Sequence, residues 1–563
     1  MRGCRPHIAR HSIQRLLDAT GPMDVIGRII GMATFFNRTF ATAIKTVILA
    51  TSLFVSDAAG MLYRPSVGRF KDGFIYWHKG QFYLFSMYTP NDDANLRNVW
   101  LATSNDGVHW KDVGPVIKDA PFPIWAMSVH QAGGRFIMNH GSFSRPGLQN
   151  VIRFWESTDL VHWTFMGNDA DLYPDRRWYH PDSRLDCMSV LPVVEENQTR
   201  YYGFATGPGG FLRSDDGIHW SGLPQPPIDW GTVPPPPTPA DEGGLEVGGC
   251  HAIQGKYYLV GGWFNYMGGT GYGVYTLIGD SPRGPFRADA AAYRLCGNST
   301  RWVALWARFC DTDSDLLVNG YMYDGYTYET GNTWLPPLKK AVVDAAGHLR
   351  LGFWKGNEAV KGNALPLDSN AIKLAYPKEN SGERSASAAA GRLEIQAQPE
   401  RNSILRTDVP TTVAIIDSDF NFDQGILIEG VMQTTCRDRR LVAPSIGFYL
   451  EEEPGEGTAI LLHSYGRTEI GKMTLADRMN FQVEDVISPG CAAPCGIAPH
   501  SDHAFRLMIR RNMFELYVDD MLVQTFNTTH TPGTVGRTPK RIGFVAENGQ
   551  AVFRDVKAWA MNL

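Results

Sequence analysis

Cysteine is scarce in this chain, with 8 among 563 residues, too few at this length to imply a disulfide-held scaffold. Cys296/Cys310 and Cys491/Cys495 lie close enough in sequence to close loops in an oxidising compartment. No Cys-x-x-Cys pair or His-x-x-x-His run gives credible metal-ligand spacing, so no metal site and no cofactor are predicted. An excess of one charge is lacking too: 53 basic against 58 acidic side chains leave a net charge of −5, without the basic footprint that nucleic acid requires. Long apolar runs are also missing. The run at residues 46–55 (TVILATSLFV) is half of the roughly 20 residues that a membrane-spanning helix needs, and no later stretch is long and apolar enough.

That short run has another reading. It follows Lys45 and precedes the small residues Ser56, Ala58, Ala59 and Gly60, the pattern of a secretory signal. The irregular basic stretch before it fits a start at Met23 or Met32. Residues 1–59 are therefore read as a signal region, and the mature protein as secreted or periplasmic with no membrane attachment.

Aromatics, glycine and proline are plentiful, with 15 Trp, 22 Tyr, 58 Gly and 35 Pro. That mix favours short strands and many turns. From about Tyr63 the chain alternates in period two between Gly, Asn and Asp turns, the mark of antiparallel strands. A motif recurs: SNDGVHW at residues 104–110, STDLVHW at 157–163 and SDDGIHW at 214–220, with a weaker copy DSPRGPF at 280–286. The first three end on Trp110, Trp163 and Trp220, which are 53 and 57 residues apart. Repeats of about this length with four strands each predict a β-propeller. The repeated His-Trp reads as structural, a turn followed by an aromatic packed between blades.

With this register the innermost strand of each blade starts near Asp72, Ala126, Asp186, Glu246 and Trp302, at intervals of 54, 60, 60 and 56 residues. Five blades then fit into a propeller domain at residues 60–375. Residues 376–391 (YPKENSGERSASAAAG) read as a linker. Residues 392–563 read as a β-sandwich, with strands expected at 425–432, 446–450, 459–463, 505–510, 514–518 and 542–545. The fold class is all-β, a five-bladed β-propeller followed by a C-terminal β-sandwich.

Three of the five inner-strand starts are acids, in a chain with 58 acidic residues of 563. Carboxylates gathered at one channel mouth suit glycosidic bond cleavage, which needs an ionised carboxylate at the anomeric carbon and a protonated carboxyl at the leaving oxygen. Asp72 fits the first role, Glu246 the acid, and Asp186 a third carboxylate that holds a sugar hydroxyl. Trp125, His180, Arg184, Trp77 and Trp263 are the candidate substrate-binding residues, with Trp125 and His180 nearest the expected mouth. An oligo- or polysaccharide is the only partner predicted. The proline run at residues 234–239 reads as a stiff loop beside the pocket.

The segment 62–355 resembles the five-bladed furanosidases, above all glycoside hydrolase family 32, the invertase, inulinase and levanase group, with family 43 as a close relation. Asp72-Gly73-Phe74-Ile75-Tyr76 stands where family 32 has Asp-Pro-Asn-Gly before a hairpin. Arg184-Leu185-Asp186-Cys187 is similar to its Arg-Asp-Pro with one residue inserted. Glu246-Val247-Gly248-Gly249 stands where it has Glu-Cys-Pro-Asp. The resemblance implies a β-fructofuranosidase-like hydrolase in which Asp72 is the nucleophile, Glu246 the acid/base and Asp186 the transition-state stabiliser. Family 43 implies an alternative, inverting hydrolysis of arabinosides or xylosides with Asp72 as general base. A further alternative is a propeller whose acids only bind saccharide hydroxyls.

Overall fold

The computed structural model describes residues 61–563 apart from 67, 90–96, 143–150, 180–183, 207–209, 236–244, 265–271, 298–303, 327–331, 369–370, 380–383, 390, 398–408, 436–442 and 477. The expected signal region, His180, Trp302 and most of the proline run fall outside the described residues.

Among them the secondary structure is almost wholly β, arranged as a β-propeller with sandwich-like sheets after it. Two-residue turns set the first and fourth inner hairpins. Lys79-Gly80 has φ of +49° and +82°, and Gln254-Gly255 has +51° and +78°, a pairing whose twist matches that of the flanking strands. They close His78 onto Gln81 and Ile253 onto Lys256. Four sheets follow in chain order. The first holds Arg69–His78, Gln81–Thr89, Asn98–Ser104 and Lys111–Ile117, and the second Trp125–Ala132, Arg135–Ser142, Val151–Ser157 and Thr164–Phe165. The third holds Asp186–Glu195, Gln198–Thr206, Phe211–Ser214 and Trp220–Gly222. The fourth is built on Glu246–Ile253, Lys256–Phe264, Tyr272–Gly279 and Phe286–Ala288, with two short strands added.

The fifth expected blade is not a separate sheet. Ala304–Asp311, Leu316–Tyr323, Lys339–Val343 and Leu349–Phe353 open a 13-stranded sheet that runs on through Met521–Asn527 into the C-terminal strands. The join is the pairing of Gly352 with Met521. Even so, the inner strands touch in a closed ring: 69–78 on 125–132, then 186–195, 246–253, 304–311 and back to 69–78. The apolar clusters follow the same order. Phe85, Met127 and Trp155 pack between the first two sheets, and Ile137, Met188 and Leu212 between the second and third. Tyr202, Leu259 and Trp263 pack between the third and fourth. At the entry of the ring, Tyr63 pairs with Leu335, tying its first residues to its last.

The repeated motif is a self-contained turn. In the second copy Asp159 Oδ1 accepts the backbone N–H groups of Val161 and His162, while Asp159 Oδ2 lies 2.7 Å from His162 Nδ1. The His162 ring holds that carboxyl well below the ordinary carboxylate range. Asp106–His109 and Asp216–His219 repeat the contact at 2.7 and 2.6 Å. These histidines are structural, as expected.

The C-terminal strands cover the segments expected from the sequence to within a residue, among them Ile426–Thr435, Ser445–Glu453, His503–Arg510 and Met513–Val518. Ile428, Phe448, Phe505, Phe544 and Phe553 form their shared core. The expected linker is different: Arg384–Ala389 is a strand paired with Arg392–Ala397, and Lys361–Leu365 already pairs with the final strand. Small Ser and Ala side chains read as a linker by composition, yet they suit an edge strand laid against a neighbour. Two buried ion pairs cross from the ring to the sandwich strands, Arg294–Asp485 at 3.2 Å and Lys339–Glu515. Cys250, Cys296, Cys310, Cys491 and Cys495 are free thiols. Neither expected cysteine pairing is formed, and burial pushes the Cys296 thiol up to about 12.

Two buried histidines make stability sensitive to acid. His130 Nε2–H donates to Gly217 O at 2.8 Å. His140 donates from Nδ1 to Gly141 O at 2.9 Å and accepts the Trp155 indole N–H at Nε2, 3.1 Å away. That arrangement fits only the neutral ring, and burial lowers both from 6.5 to about 4. The unfolded chain therefore takes up these protons first. Their contribution is complete above pH 6.5 and is lost as pH falls to about 4, about 3 kcal/mol for each ring. Urea unfolding followed from pH 7 to pH 4 should show a drop of several kcal/mol, and a flat profile contradicts neutral burial.

Candidate active site

Each inner strand meets its neighbour through a β-bulge near its start. Register shifts lie at Lys71/Phe74, Trp125/Ser128, Val247/Gly249 and Leu305/Arg308, and on the third sheet opposite Asp186, at Phe204/Thr206. Bulges re-aim side chains, and here they fix which acids face the channel. Asp186 and Glu246 stand three residues before the first paired residue beyond the bulge, Ser189 and Gly249. Asp72 stands two before Phe74. The equal spacing expected from the sequence is thus one residue out at Asp72. In a regular strand that slip would turn the side chain to the other face. Asp72 instead lies inside the bulge with φ +50°, a backbone that Asp tolerates better than most residues.

All three carboxylates are buried, at 5% exposure for Asp72, 1% for Asp186 and 6% for Glu246. Arg184 links two of them. Its Nη1 donates to Glu246 Oε1 at 2.8 Å, while Nε and Nη2 donate to Asp186 Oδ2 at 3.2 and 3.1 Å. Asp72 is held from the fifth set of strands: Tyr321 Oη donates to its Oδ1 at 2.7 Å, and Asn319 Nδ2 donates to Gly73 O at 3.1 Å. Burial, then the Asp72 charge, holds the Tyr321 phenol well above its ordinary range, so it remains a donor. Tyr272 Oη donates to Glu246 Oε2 at 3.0 Å, and Tyr321 senses the Tyr272 ring electrostatically. Tyr272, Glu246, Arg184 and Asp186 are thus joined in one hydrogen-bonded row, and Asp72 is bonded to Tyr321.

Arg308 lies across the ring. From the fifth inner strand its Nη1 donates to Met127 O of the second at 2.6 Å, and its guanidinium lies 5.7 Å from the Phe74 ring of the first. Ser128 Oγ donates to Met188 O, and Asn139 Nδ2 to Ser128 Oγ at 2.8 Å, tying the second strand to the third.

Close backbone approach explains two glycines. A Cβ at Gly141 would lie 2.3 Å from Asp186 Cβ, so Gly141 lets that acid settle against the second sheet. A Cβ at Gly262 would lie 1.8 Å from Tyr272 Oη. Gly262 is the register partner of Glu246 and leaves the space through which the phenol reaches it. Gly262→Ala is expected to cost about 1–3 kcal/mol of stability by overpacking. Tyr272→Phe, which removes the hydroxyl that binds Glu246, is expected to lower kcat/KM by about 10-fold or more. Melting curves and steady-state rates of both variants check the two effects, and an unchanged kcat/KM in Tyr272→Phe contradicts the positioning of Glu246 by this phenol.

The other predicted residues divide. Arg184 is at the centre of the site. Trp125 heads the second inner strand, half-buried, with Lys71 Nζ 5.3 Å from its ring and Gly141 as register partner. Trp77 is not at the mouth: it pairs with Phe82 beside the Lys79-Gly80 turn, ring centroids 4.5 Å apart, at the far end of its strand. Trp263 is buried among Leu191, Tyr202 and Phe204 between the third and fourth sheets. Both are packing residues, because a propeller strand buries both faces and alternation alone does not tell channel from blade interface. Tyr272 and Gly262 carry no motif of their own in the sequence, although the register of the Lys256–Phe264 and Tyr272–Gly279 hairpin brings both close to Glu246. Tyr321 is 249 residues from its partner and had no local signal.

This arrangement has counterparts among solved structures. A β-fructofuranosidase of glycoside hydrolase family 32 from Bombyx mori superposes with a TM-score of 0.59 at 13% identity, covering 93% of this chain and 99% of that one. Its fold is that of the family 32 hydrolases. A sucrose-6-phosphate hydrolase from Lactobacillus gasseri gives 0.59 at 12% identity, over 92% and 96% of the two chains. An exo-inulinase from Aspergillus awamori gives 0.56 at 13%, over 90% and 98%. The family 32 likeness spans ring and sandwich alike, in agreement with the resemblance drawn from residues 62–355. No protein-family sequence profile matches the chain, and no curated protein does.

Proposed function

We propose that this protein is an exported glycoside hydrolase that cleaves fructosyl linkages, with Asp72 as nucleophile, Glu246 as acid/base and Asp186 as transition-state stabiliser. The observation that carries this reading is the bridge of Arg184 between Asp186 and Glu246, with Asp72 held separately by Tyr321. A fold alone does not specify chemistry, but buried carboxylates in distinct environments at one mouth suit a two-carboxylate glycosidase. In this reading the strands 304–323 and 339–353 serve as a fifth blade, fused at its outer edge to the sandwich. Asp186, fixed by Arg184, receives hydroxyl groups of the bound furanose. Trp125 forms a wall of the pocket. Proton delivery falls to Glu246, oriented from one side by Arg184 and from the other by Tyr272.

The first test is the release of reducing sugar from sucrose, inulin, levan, arabinan and aryl furanosides by the purified chain. Free fructose from the first three is the expected product. Arabinose release without fructose overturns the fructosyl assignment and favours the family 43-like alternative.

A further inference from the structure

Trp178 is the one tryptophan that stands exposed among the described residues, at 49%, and Tyr173 beside it on the same connection is 45% exposed. Large exposed aromatics on a firmly held loop call for an explanation. This loop is firmly held. Arg177 Nε and Nη2 bind Asp175, whose carbonyl accepts the backbone N–H groups of Trp178 and Tyr179 at 2.9 Å each. Tyr179 is buried, its hydroxyl donating to Leu223 O and accepting the Phe211 N–H at 3.1 Å. A Cβ at Gly222 would meet Asp175 Cβ at 2.4 Å, so the turn lies directly on the outermost strand of the third sheet.

The strand directions place this turn on the face that carries the acids. Asp186 pairs with Thr206, the last residue of its neighbour, and Phe211 opens the next strand from that same end. Tyr179 is anchored at Phe211 and Leu223, hence at the mouth end of the third sheet. Leu172 pairs with Ile152, which pairs with Gly141 and so lies level with Trp125 at the mouth end of the second. Tyr173 and Trp178 therefore stand on the mouth face, outward from Asp186, with the exposed Arg176 between them.

We propose that Trp178 and Tyr173 form an outer binding platform for the distal sugar units of an oligosaccharide whose terminal unit occupies the Asp72–Asp186–Glu246 site. The proposal rests on the function inferred above. The C–H faces of a sugar ring carry partial positive charge and match the negative faces of aromatic rings, and Arg176 supplies hydrogen-bond donors to hydroxyl groups. Trp178 is six residues from Arg184, and six extended residues span at most about 20 Å. The turn rests on Gly222 in the outermost strand, three strand spacings or roughly 14 Å from the strand that carries Asp186, so a platform there serves a chain rather than a disaccharide.

The test uses the full chain in two arms. In the first, kcat and KM are measured for sucrose and for inulin-type chains of increasing length, with the parent and with Trp178→Ala. The substitution is expected to raise KM for long chains about 5- to 10-fold, the worth of one aromatic contact, with sucrose unaffected and kcat unchanged. In the second arm, the Glu246→Gln variant with and without Trp178→Ala is titrated calorimetrically with fructo- and arabino-oligosaccharides. Affinity should rise with chain length only where Trp178 is present. An equal effect on sucrose and long chains, or the same chain-length gain without Trp178, overturns the platform. So does the lack of any chain-length gain in the parent. Failure to hydrolyse any fructoside, with the length dependence in the titration intact, overturns the fructosyl function and leaves the platform standing.

Discussion

Asp72→Asn is expected to lower kcat on a fructosyl substrate on the order of 10⁵-fold, the scale seen when a nucleophile is removed, while leaving the fold unchanged. Asn is the right replacement for three reasons visible at the site. Its carbonyl oxygen can still accept the Tyr321 hydroxyl that lies 2.7 Å from Asp72 Oδ1. It occupies the same volume at a position only 5% exposed, so no cavity opens. It also tolerates the left-handed backbone at φ +50°. Only the negative charge and its nucleophilicity are lost. Parent-like melting with residual activity below 1% of the parent meets the expectation, and substantial activity in the folded variant removes Asp72 from the chemistry.

Glu246→Gln should discriminate between substrates, and this sets it apart from a structural lesion. The amide can offer its oxygen to Arg184 and its N–H group to Tyr272 Oη, so these two contacts keep a partner. What disappears is the proton for the leaving oxygen. A sugar leaving group needs that proton, so sucrose turnover should fall by about 10²- to 10⁴-fold. An aryl fructoside with an acidic phenol leaves largely unaided, and bond cleavage should be much less affected. Release of the free sugar then becomes slow, because the same residue activates water in the second step. Pre-steady-state phenol release should therefore show a burst followed by a slow phase. Equal loss on both substrates contradicts the acid role.

The readable parts of the sequence were those fixed by local rules. Lys79-Gly80 and Gln254-Gly255 each announce a tight reversal, and all four residues adopt positive φ. The Asp-to-His turn repeats because one carboxylate satisfies two backbone N–H groups and a ring within four residues. From these the propeller arrangement and the three acids follow. What escaped is non-local. Tyr321 meets Asp72 only because the ring closes, and Arg308 meets Met127 only across it. The drift of one residue at Asp72 arises from a bulge, which spacing alone does not reveal. Trp77 and Trp263 looked like pocket walls because aromatics serve equally as sugar platforms and blade packing. The union of the last ring strands with the sandwich depends on Gly352 meeting Met521, 169 positions apart (521 − 352), and on buried ion pairs with no local pattern.

The most direct measurement is the mass of the enzyme caught in mid-reaction. Glu246→Gln mixed with an activated aryl fructoside should accumulate the covalent intermediate, since it forms readily and breaks down slowly. Acid quenching followed by intact-mass and peptide analysis should find one added hexosyl unit, carried on the peptide that contains Asp72. A hexosyl unit on the Asp186 peptide instead, or complete turnover of the substrate with no adduct at any time, would contradict a retaining mechanism with Asp72 as nucleophile.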